Sequence, residues 1–137
     1  MLGAMTITLL SPPGLVNSPA FSHVAIVPPG ATTVYLGGQN GVDETGKVVS
    51  DDVAVQATRA LENAVVALSA AGASLDAVIQ WTILFDERAD LAAAYRAIAP
   101  RLSREGAPPL VTAARVAGLG VPGALLEIGA VAAIMPA

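Results

Sequence analysis

The side chains that could do chemistry are few in this sequence, and Glu127 is the most unusual of them. It lies within the apolar run from Ala124 to Ile134. A carboxylate in an apolar setting costs free energy unless it has a partner. Such a group can activate water or bind a substrate amine. The alternative is a structural carboxylate that accepts backbone hydrogen bonds, and the sequence leaves both interpretations open.

The other reactive residue types are nearly absent. The chain has one histidine, His23, and no cysteine, which excludes disulfides, zinc–thiolate sites and a cysteine nucleophile. Ser22 and His23 are adjacent on a predicted strand, so their side chains point to opposite faces and do not form a nucleophile–base pair. We predict no metal site.

The charge balance disfavours nucleic acid as a partner. The net charge is −4, and the few arginines are interspersed with acidic residues rather than clustered, whereas nucleic-acid binding needs a basic surface.

Only 13% of the residues are charged and 54% are hydrophobic, against roughly 25% charged in an average soluble protein. We therefore expect apolar surface to be buried against other subunits.

The apolar composition does not predict a membrane span. Such a span needs about 20 consecutive apolar residues. Prolines and polar residues interrupt the N-terminal stretch, and Glu127 interrupts the C-terminal run. No basic residue precedes the short apolar segment Ile7–Leu10, so no secretory signal is predicted. We expect a cytoplasmic location.

Hydrophobic periodicity and turn residues predict the order β-β-β-α-β-α-β-β. The predicted strands are Met5–Leu9, Ser22–Val27, Thr32–Leu36, Val78–Phe85, Leu110–Val116 and Ala124–Ile134. The first helix runs from an N-cap at Ser50 to Gly72, and the second from a cap at Asp86 to Pro100. The first helix carries a predicted apolar stripe of residues spaced three and four apart, namely Ala54, Ala57, Leu61, Ala64, Leu68 and Ala71. Two helices covering one face of a mixed sheet would give an α/β (α+β) domain.

Two further predictions concern the strands. The second and third should form a hairpin through the turn at Pro28-Pro29-Gly30, and Gly37-Gly38 should mark either the end of the third or a bulge. The last strand is apolar on both faces, which is typical of a strand that is buried on both sides. The helices can cover only one face, so we expect other copies of the chain to cover the second.

From about Ser18 to its end, the sequence resembles the RidA (YjgF-type) family. The resemblance rests on an ordered set of short motifs: Phe21-Ser22-His23, Leu36-Gly37-Gly38-Gln39, Gly41, Gly46-Lys47-Val48-Val49, Gln56, Ala60-Leu61-Glu62-Asn63, Ala71-Gly72-Ala73-Ser74-Leu75-Asp76, Pro108-Pro109, Val116 to Leu119 and Leu126-Glu127-Ile128-Gly129-Ala130-Val131-Ala132.

The resemblance implies a chorismate-mutase-like fold in which residues 1–137 form a single domain. It also implies a homotrimeric barrel of sheets with three small-molecule clefts between subunits. Better-known members hydrolyse reactive imines and enamines to a keto acid and ammonia, and they need no cofactor. In that mechanism an arginine binds the substrate carboxylate with two hydrogen bonds, and a glutamate positions the attacking water.

Five positions depart from the polar cleft residues that the resemblance implies. Val111 stands where the carboxylate-binding arginine is expected, and Ala113 stands where cysteine is frequent. Gly37 occupies a serine position, Ala92 an asparagine position and Phe21 a tyrosine position. We therefore expect a more apolar cleft, whose ligand is not a simple imine derived from an amino acid.

Glu127 alone matches the polar set and is the predicted catalytic residue. Gly38, beside Gly37, would let a ligand approach the backbone. Arg115 lies four residues beyond Val111 on the same face of its strand, where it would either replace the missing arginine or, as we favour, pair with an acidic residue.

Three functions remain open on the sequence. The first is hydrolysis of an imine, enamine or related small carbonyl derivative. The second is a non-catalytic trimer that binds a small apolar metabolite or a protein partner. The third, ribonuclease activity, is disfavoured by the acidic charge and the single histidine.

Overall fold

A computed structural model describes residues 6–137, and the elements follow the predicted order. The strands are β1 (Thr8–Leu10), β2 (Val24–Ile26), β3 (Thr32–Gln39), β4 (Val78–Asp86), β5 (Leu110–Val116) and β6 (Leu126–Ile134), and the helices are α1 (Val53–Ala70) and α2 (Leu91–Leu102), with a 3₁₀ turn at Leu75–Ala77. The predicted start of the first strand, Met5, lies outside the described residues.

The main sheet has four strands in the order β3-β6-β4-β5. The pair β4–β5 is parallel, and α2 makes the crossover between them; the other pairs are antiparallel. α1 packs on β3 and β6, and α2 packs on α1. The largest fully buried core side chains include Leu61, Leu68, Ile98, Leu126 and Ile128. This is the predicted mixed sheet with two helices on one face.

The predicted hairpin of the second and third strands is wrong. β2 pairs with β1, while β3 pairs with β6. Neither Pro28 nor Pro29 has a backbone N–H, so a strand ladder cannot continue through this turn. The N–H of His23 instead donates to Leu10 (2.8 Å) and places β2 beside β1.

Both predicted helix caps are wrong by a few residues. Asp52, not Ser50, caps α1, because its carboxylate accepts from the N–H of Ala54 at 2.8 Å. Asp90, not Asp86, caps α2 and accepts from Ala93 at 3.1 Å. In each case an aspartate nearer the first helical turn takes the cap position.

The predicted apolar stripe of α1 is confirmed in its centre. Ala57, Leu61, Ala64 and Leu68 are buried, and small alanine side chains let the helix axis approach the sheet closely. Ala54 and Ala71, the predicted ends of the stripe, are not buried.

No helix among residues 6–137 is both long enough and apolar enough to cross a membrane.

The buried amide of Gln56 joins α1 to two loops. Gln56 is fully buried, and its Nε2 donates to the carbonyls of Ser50 (2.7 Å) and Gly123 (3.1 Å). Its Oε1 accepts from the N–H of Leu125 at 2.8 Å. A Cβ at Gly41 would lie 2.6 Å from the Gln56 backbone, so the loop after β3 packs directly on the helix. These contacts fix the point where β6 begins.

Asp86 ends β4 in an ion pair with Arg88. Its carboxylate accepts from Nε of Arg88 at 2.7 Å and from Nη2 at 3.2 Å, and it also accepts from the Arg88 N–H at 2.9 Å. The hydrogen bonds from the Arg88 side chain and backbone hold the pKa of Asp86 below its ordinary value, although burial opposes them.

We expect Gln56→Leu to lower the free energy of unfolding by about 3 kcal/mol, because buried N–H and C=O groups left without partners each cost roughly 1–3 kcal/mol. Urea denaturation at fixed protein concentration measures the change. Thr58→Leu, on the exposed side of the same helix, is the control and should change the stability little. Equal stability of the two variants would contradict the structural role of the Gln56 amide.

The Asp86–Arg88 pair predicts a dependence of stability on pH. A carboxyl whose pKa is lowered by folding stabilises the fold above its unfolded pKa of about 4, and this contribution is lost as the pH falls further. We expect Asp86→Asn to be less stable than wild type at pH 7, with a difference that shrinks below about pH 4. Asp51→Asn, in an exposed position, controls for net charge. A difference that is constant from pH 7 to pH 3 would count against the pair.

Candidate functional site

A β-bulge at Gly37–Gly38 shapes one side of the candidate site. Leu36 pairs with Ala130 and Gln39 pairs with Ile128, so three steps along β3 face two steps along β6. This is the spacing of a bulge, which bends a strand and redirects nearby side chains. Of the two alternatives predicted for the glycine pair, the bulge is confirmed and the strand end is wrong, since β3 continues to Gln39.

The Glu127 carboxylate lies against Gly38. A Cβ added at Gly38 would lie 2.5 Å from both Cδ and Oε2 of Glu127, whereas a Cβ at Gly37 would meet nothing within 4 Å. Glycine is thus required at position 38 for the carboxylate to occupy this place. The structure brings together these two predicted site residues, and Gly37 adjoins them.

Glu127 lies on the sheet face that the helices leave uncovered. Its neighbours Leu126 and Ile128 are buried under the helices, so the side chain between them points away. Among residues 6–137 the one ion pair joins Arg88 and Asp86, which leaves Glu127 without a cationic partner. In the same part of the chain every buried polar side-chain atom has a hydrogen-bond partner. The Glu127 carboxylate is therefore open to water, to a ligand or to another subunit.

The predicted site residues of β5 lie on the other face of the sheet. Val111, Ala113 and Arg115 are the register partners of Trp81, Ile83 and Phe85, and these three β4 side chains are buried on the helix side. Side chains paired in adjacent strands share a face. Within one chain, the structure therefore does not bring Val111, Ala113 and Arg115 together with Glu127.

Arg115 binds backbone at the connection from β4 to α2. Its Nη1 donates to the carbonyls of Glu87 and Ala89, each at 3.1 Å. These partners are carbonyls rather than the acidic side chain that we expected. Four strand residues, or about 13 Å, separate Arg115 from Val111. This places its cationic group at the end of β5 and away from the middle of the strand.

Phe21 lies near the start of β5, and Ala92 lies near the start of α2. The N–H of Ser22 donates to the carbonyl of Pro109 at 3.1 Å, which holds the half-buried Phe21 near the start of β5. The Phe21 ring meets the His23 ring edge-on, with centroids 5.5 Å apart. Nε2 of His23 lies 2.7 Å from the carbonyl of Val16, so it donates there. Ala92 is exposed in the first turn of α2.

A cavity of about 330 Å³ opens between β4, β5 and α2. Buried Trp81 and Ile83 form its floor, and Tyr95, half exposed, lies at its rim. Val111 is the one predicted site residue that lines it. The remaining lining residues are Pro19, Ala20, Ala99, Leu102, Ser103, Arg104, Gly106, Pro108 and Pro109.

Arg104 is a cationic residue of this cavity that the sequence did not single out. Its Nη1 donates to the carbonyls of Leu75 (3.3 Å), Asp76 (3.0 Å) and Val78 (2.8 Å). Burial lowers the pKa of Arg104, and the negative charge of Asp76 partly opposes this shift. In the sequence Arg104 is one of three scattered arginines within residues 96–104, and no motif distinguishes it from the other two.

The acidic residues and the histidine do not gather into a metal site. Across residues 6–137, no group of three or more histidine, cysteine, aspartate or glutamate side chains could hold a metal ion. The Glu127 carboxylate lies beside Gly38 on one face of the sheet, and the Arg104 guanidinium lines the cavity on the other face.

We expect Gly38→Ala to displace the Glu127 carboxylate, because the new methyl group would occupy its place. The far end of a glutamate side chain moves easily, so the free energy of unfolding should fall by only about 1 kcal/mol. Crystal structures of the variant and of Gly37→Ala, which has open space around the new methyl group, would compare the carboxylate positions. An unmoved carboxylate in Gly38→Ala would contradict this packing.

Comparison with known proteins places this geometry in a family. A family model described as Endoribonuclease L-PSP matches residues 16–134. No curated protein sequence matches the chain. Among solved structures, YyfB from Yersinia pestis, a protein of unknown function of the conserved Rid protein family, is 24% identical; the alignment covers 93% of this chain and 98% of that one, with a TM-score of 0.80.

Two further structures are similar at slightly higher identity. RidA from the Antarctic bacterium Psychrobacter is 28% identical, with 85% of this chain and 94% of that chain covered and a TM-score of 0.66. A putative endoribonuclease L-PSP from Entamoeba histolytica is 26% identical, with 94% and 100% covered and a TM-score of 0.67. Because the family model spans most of the sequence, the chain belongs to the endoribonuclease L-PSP family, and it is a member of the RidA (YjgF-type) group of proteins.

Proposed function

We propose that this protein is a homotrimeric hydrolase of small imines or enamines, with Glu127 as the catalytic carboxylate. The observation that carries the proposal is the position of Glu127, whose carboxylate lies over the Gly38 backbone on an uncovered sheet face without a cationic partner among residues 6–137. A carboxylate in this position is free to accept a proton from water.

The reaction needs one water molecule and one group that moves protons. Glu127 takes a proton from water as the water oxygen bonds to the C=N carbon, and it then gives this proton to the nitrogen, which forms an amino alcohol. Glu127 next takes the hydroxyl proton of the amino alcohol and passes it to the nitrogen as the C–N bond breaks, so that ammonia leaves and a carbonyl compound remains. Neither step changes an oxidation state, so no redox cofactor is required.

The placement of residues on the two sheet faces supports an assembly of several copies, and the resemblance to the RidA family implies that this assembly is a trimer. Glu127 faces away from the helices, whereas Val111 faces toward them, so a cleft lined by both must combine two copies of the chain. The uncovered face also carries apolar side chains such as Val131 and the 79% exposed Tyr35. Contact with other copies would remove this surface from water.

The apolar wall of β5 limits the substrates. Val111 and Ala113 stand where an arginine and a cysteine are expected from the resemblance. A substrate with a carboxylate on the imine carbon would therefore lose a charge-assisted contact worth roughly 1.5–3 kcal/mol. We propose substrates whose reacting carbon carries apolar groups instead, bound beside Val111, Ala113, Phe21 and Ala92.

Two other functions have less support. Binding without catalysis is favoured by the apolar cavity beside Val111 but gives the Glu127 carboxylate no role. Ribonuclease activity is the name of the family model, yet the single histidine is bound to the carbonyl of Val16 and the net charge is −4. The cytoplasmic location stays a prediction.

We expect Glu127→Gln to reduce imine hydrolysis at least about a hundredfold, because the amide cannot accept the proton of water. Imines would be generated in situ from apolar amines by an amine oxidase, and from amino acids by an amino-acid oxidase, with ammonia release followed. Glu62→Gln, an exposed change of the same kind on α1, should retain full activity. Wild type should prefer the imines without a carboxylate on the reacting carbon.

Size-exclusion chromatography with light scattering would check that each variant keeps the wild-type assembly. A folded wild-type protein that accelerates hydrolysis of no imine would refute the enzymatic proposal. Loss of the trimer in Glu127→Gln would instead assign this carboxylate a structural role at the interface.

A further inference from the structure

We propose that Arg104 binds the anionic group of a ligand whose apolar body fills the cavity between β4, β5 and α2. The ligand class is a small carboxylate with an aromatic or branched hydrocarbon body. The charge would lie at the loop after α2, at the end of the cavity remote from the reacting carbon.

Arg104 has hydrogen-bond donors to spare. A guanidinium carries five N–H groups in a fixed plane. The contacts of Nη1 with the carbonyls of Leu75, Asp76 and Val78 fix the orientation of that plane. In the part of the chain that the structure describes, Nε and Nη2 donate to no protein group. Their N–H groups are held in place and can bind both oxygens of one carboxylate.

The charge of Arg104 also lacks a close counter-charge. Asp76 influences its pKa, but the two side chains do not form an ion pair, since the only such pair within residues 6–137 joins Arg88 and Asp86. The guanidinium is only partly exposed. An anion binding there would therefore interact with an already oriented and partly desolvated cation.

The rest of the cavity suits a hydrocarbon. Trp81 and Ile83 are buried in its floor, and Val111 and Leu102 add apolar walls. A volume of about 330 Å³ lies at the small end of the range for small-molecule pockets. The cavity thus combines one fixed cationic group with an apolar enclosure, which is the pattern that selects an amphipathic anion.

This inference rests on the proposed function where it names the substrate class. An imine or enamine would bind with its reacting carbon toward Glu127 of a neighbouring subunit and its carboxylate on Arg104, with the apolar body between them. Binding itself does not depend on turnover, so it can be tested even if no imine is hydrolysed.

The test uses the intrinsic fluorescence of Trp81, which is the only tryptophan of the chain and lies in the cavity. The full-length protein is titrated with 3-phenylpropionate and with its neutral amide, 3-phenylpropionamide. We expect the carboxylate to bind roughly tenfold or more tightly than the amide, as a charge-assisted contact predicts. Equal affinities in wild type, or no binding of either compound, would overturn the proposal.

Two variants locate the contact. Arg104→Gln should abolish the preference for the carboxylate and leave the amide affinity unchanged. The control is Arg101→Gln, an exposed arginine in the last turn of α2 that does not line the cavity. It removes the same charge and should keep the preference. A preference that persists in folded Arg104→Gln would overturn the assignment.

Arg104 also binds three carbonyls, so its replacement by glutamine can destabilise the fold. Ala99→Phe tests the same cavity without changing Arg104. Ala99 lines the cavity from α2 and is only half-buried, so a larger side chain there fills the cavity without entering the core. Both compounds should then lose their effect on the Trp81 fluorescence. Unchanged binding of 3-phenylpropionate to Ala99→Phe would place its site elsewhere and refute the proposal.

Discussion

The buried amide of Gln56 is the interaction on which the candidate site depends. It lies in the otherwise apolar face of α1, where a polar group without partners would cost free energy. Its three hydrogen bonds reach the loop before α1 and the segment Gly123–Leu125 that leads into β6. The start of β6 is thereby fixed relative to the helix, and Glu127 follows two residues after Leu125.

The end of β3 and the loop after it also connect Gln56 to Glu127. Gly41 packs on the Gln56 backbone and Gly38 packs under the Glu127 carboxylate, and neither position has room for a Cβ. The few residues between these glycines are thus held at one end by the helix and at the other by the carboxylate. The bulge follows from this arrangement, because a strand in regular register would place a different residue beside Glu127.

The sequence was sufficient for features with a local cause and insufficient for those that depend on distant contacts. The continuous apolar run of β6 and the alanine spacing of α1 predict their elements, and Glu127 stands out because its neighbours are apolar. The hairpin was wrong because pairing of β3 with β6 joins segments almost 100 residues apart. The role of Arg104 was also beyond prediction, since its carbonyl partners lie about 26–29 residues earlier in the chain.

The division of the polar groups between two sheet faces gives the proposed chemistry a physical logic. Glu127 is positioned by Gly38 and by the entry of β6, and none of these contacts involves β5. Residues of β5 can therefore change from polar to apolar without moving the carboxylate. In the proposed enzyme, a change of the side chain at position 111 would alter which ligands fit without displacing the Glu127 carboxylate. The two groups would meet only where two copies of the chain associate, so the proposed site allows substrate choice to change independently of proton transfer.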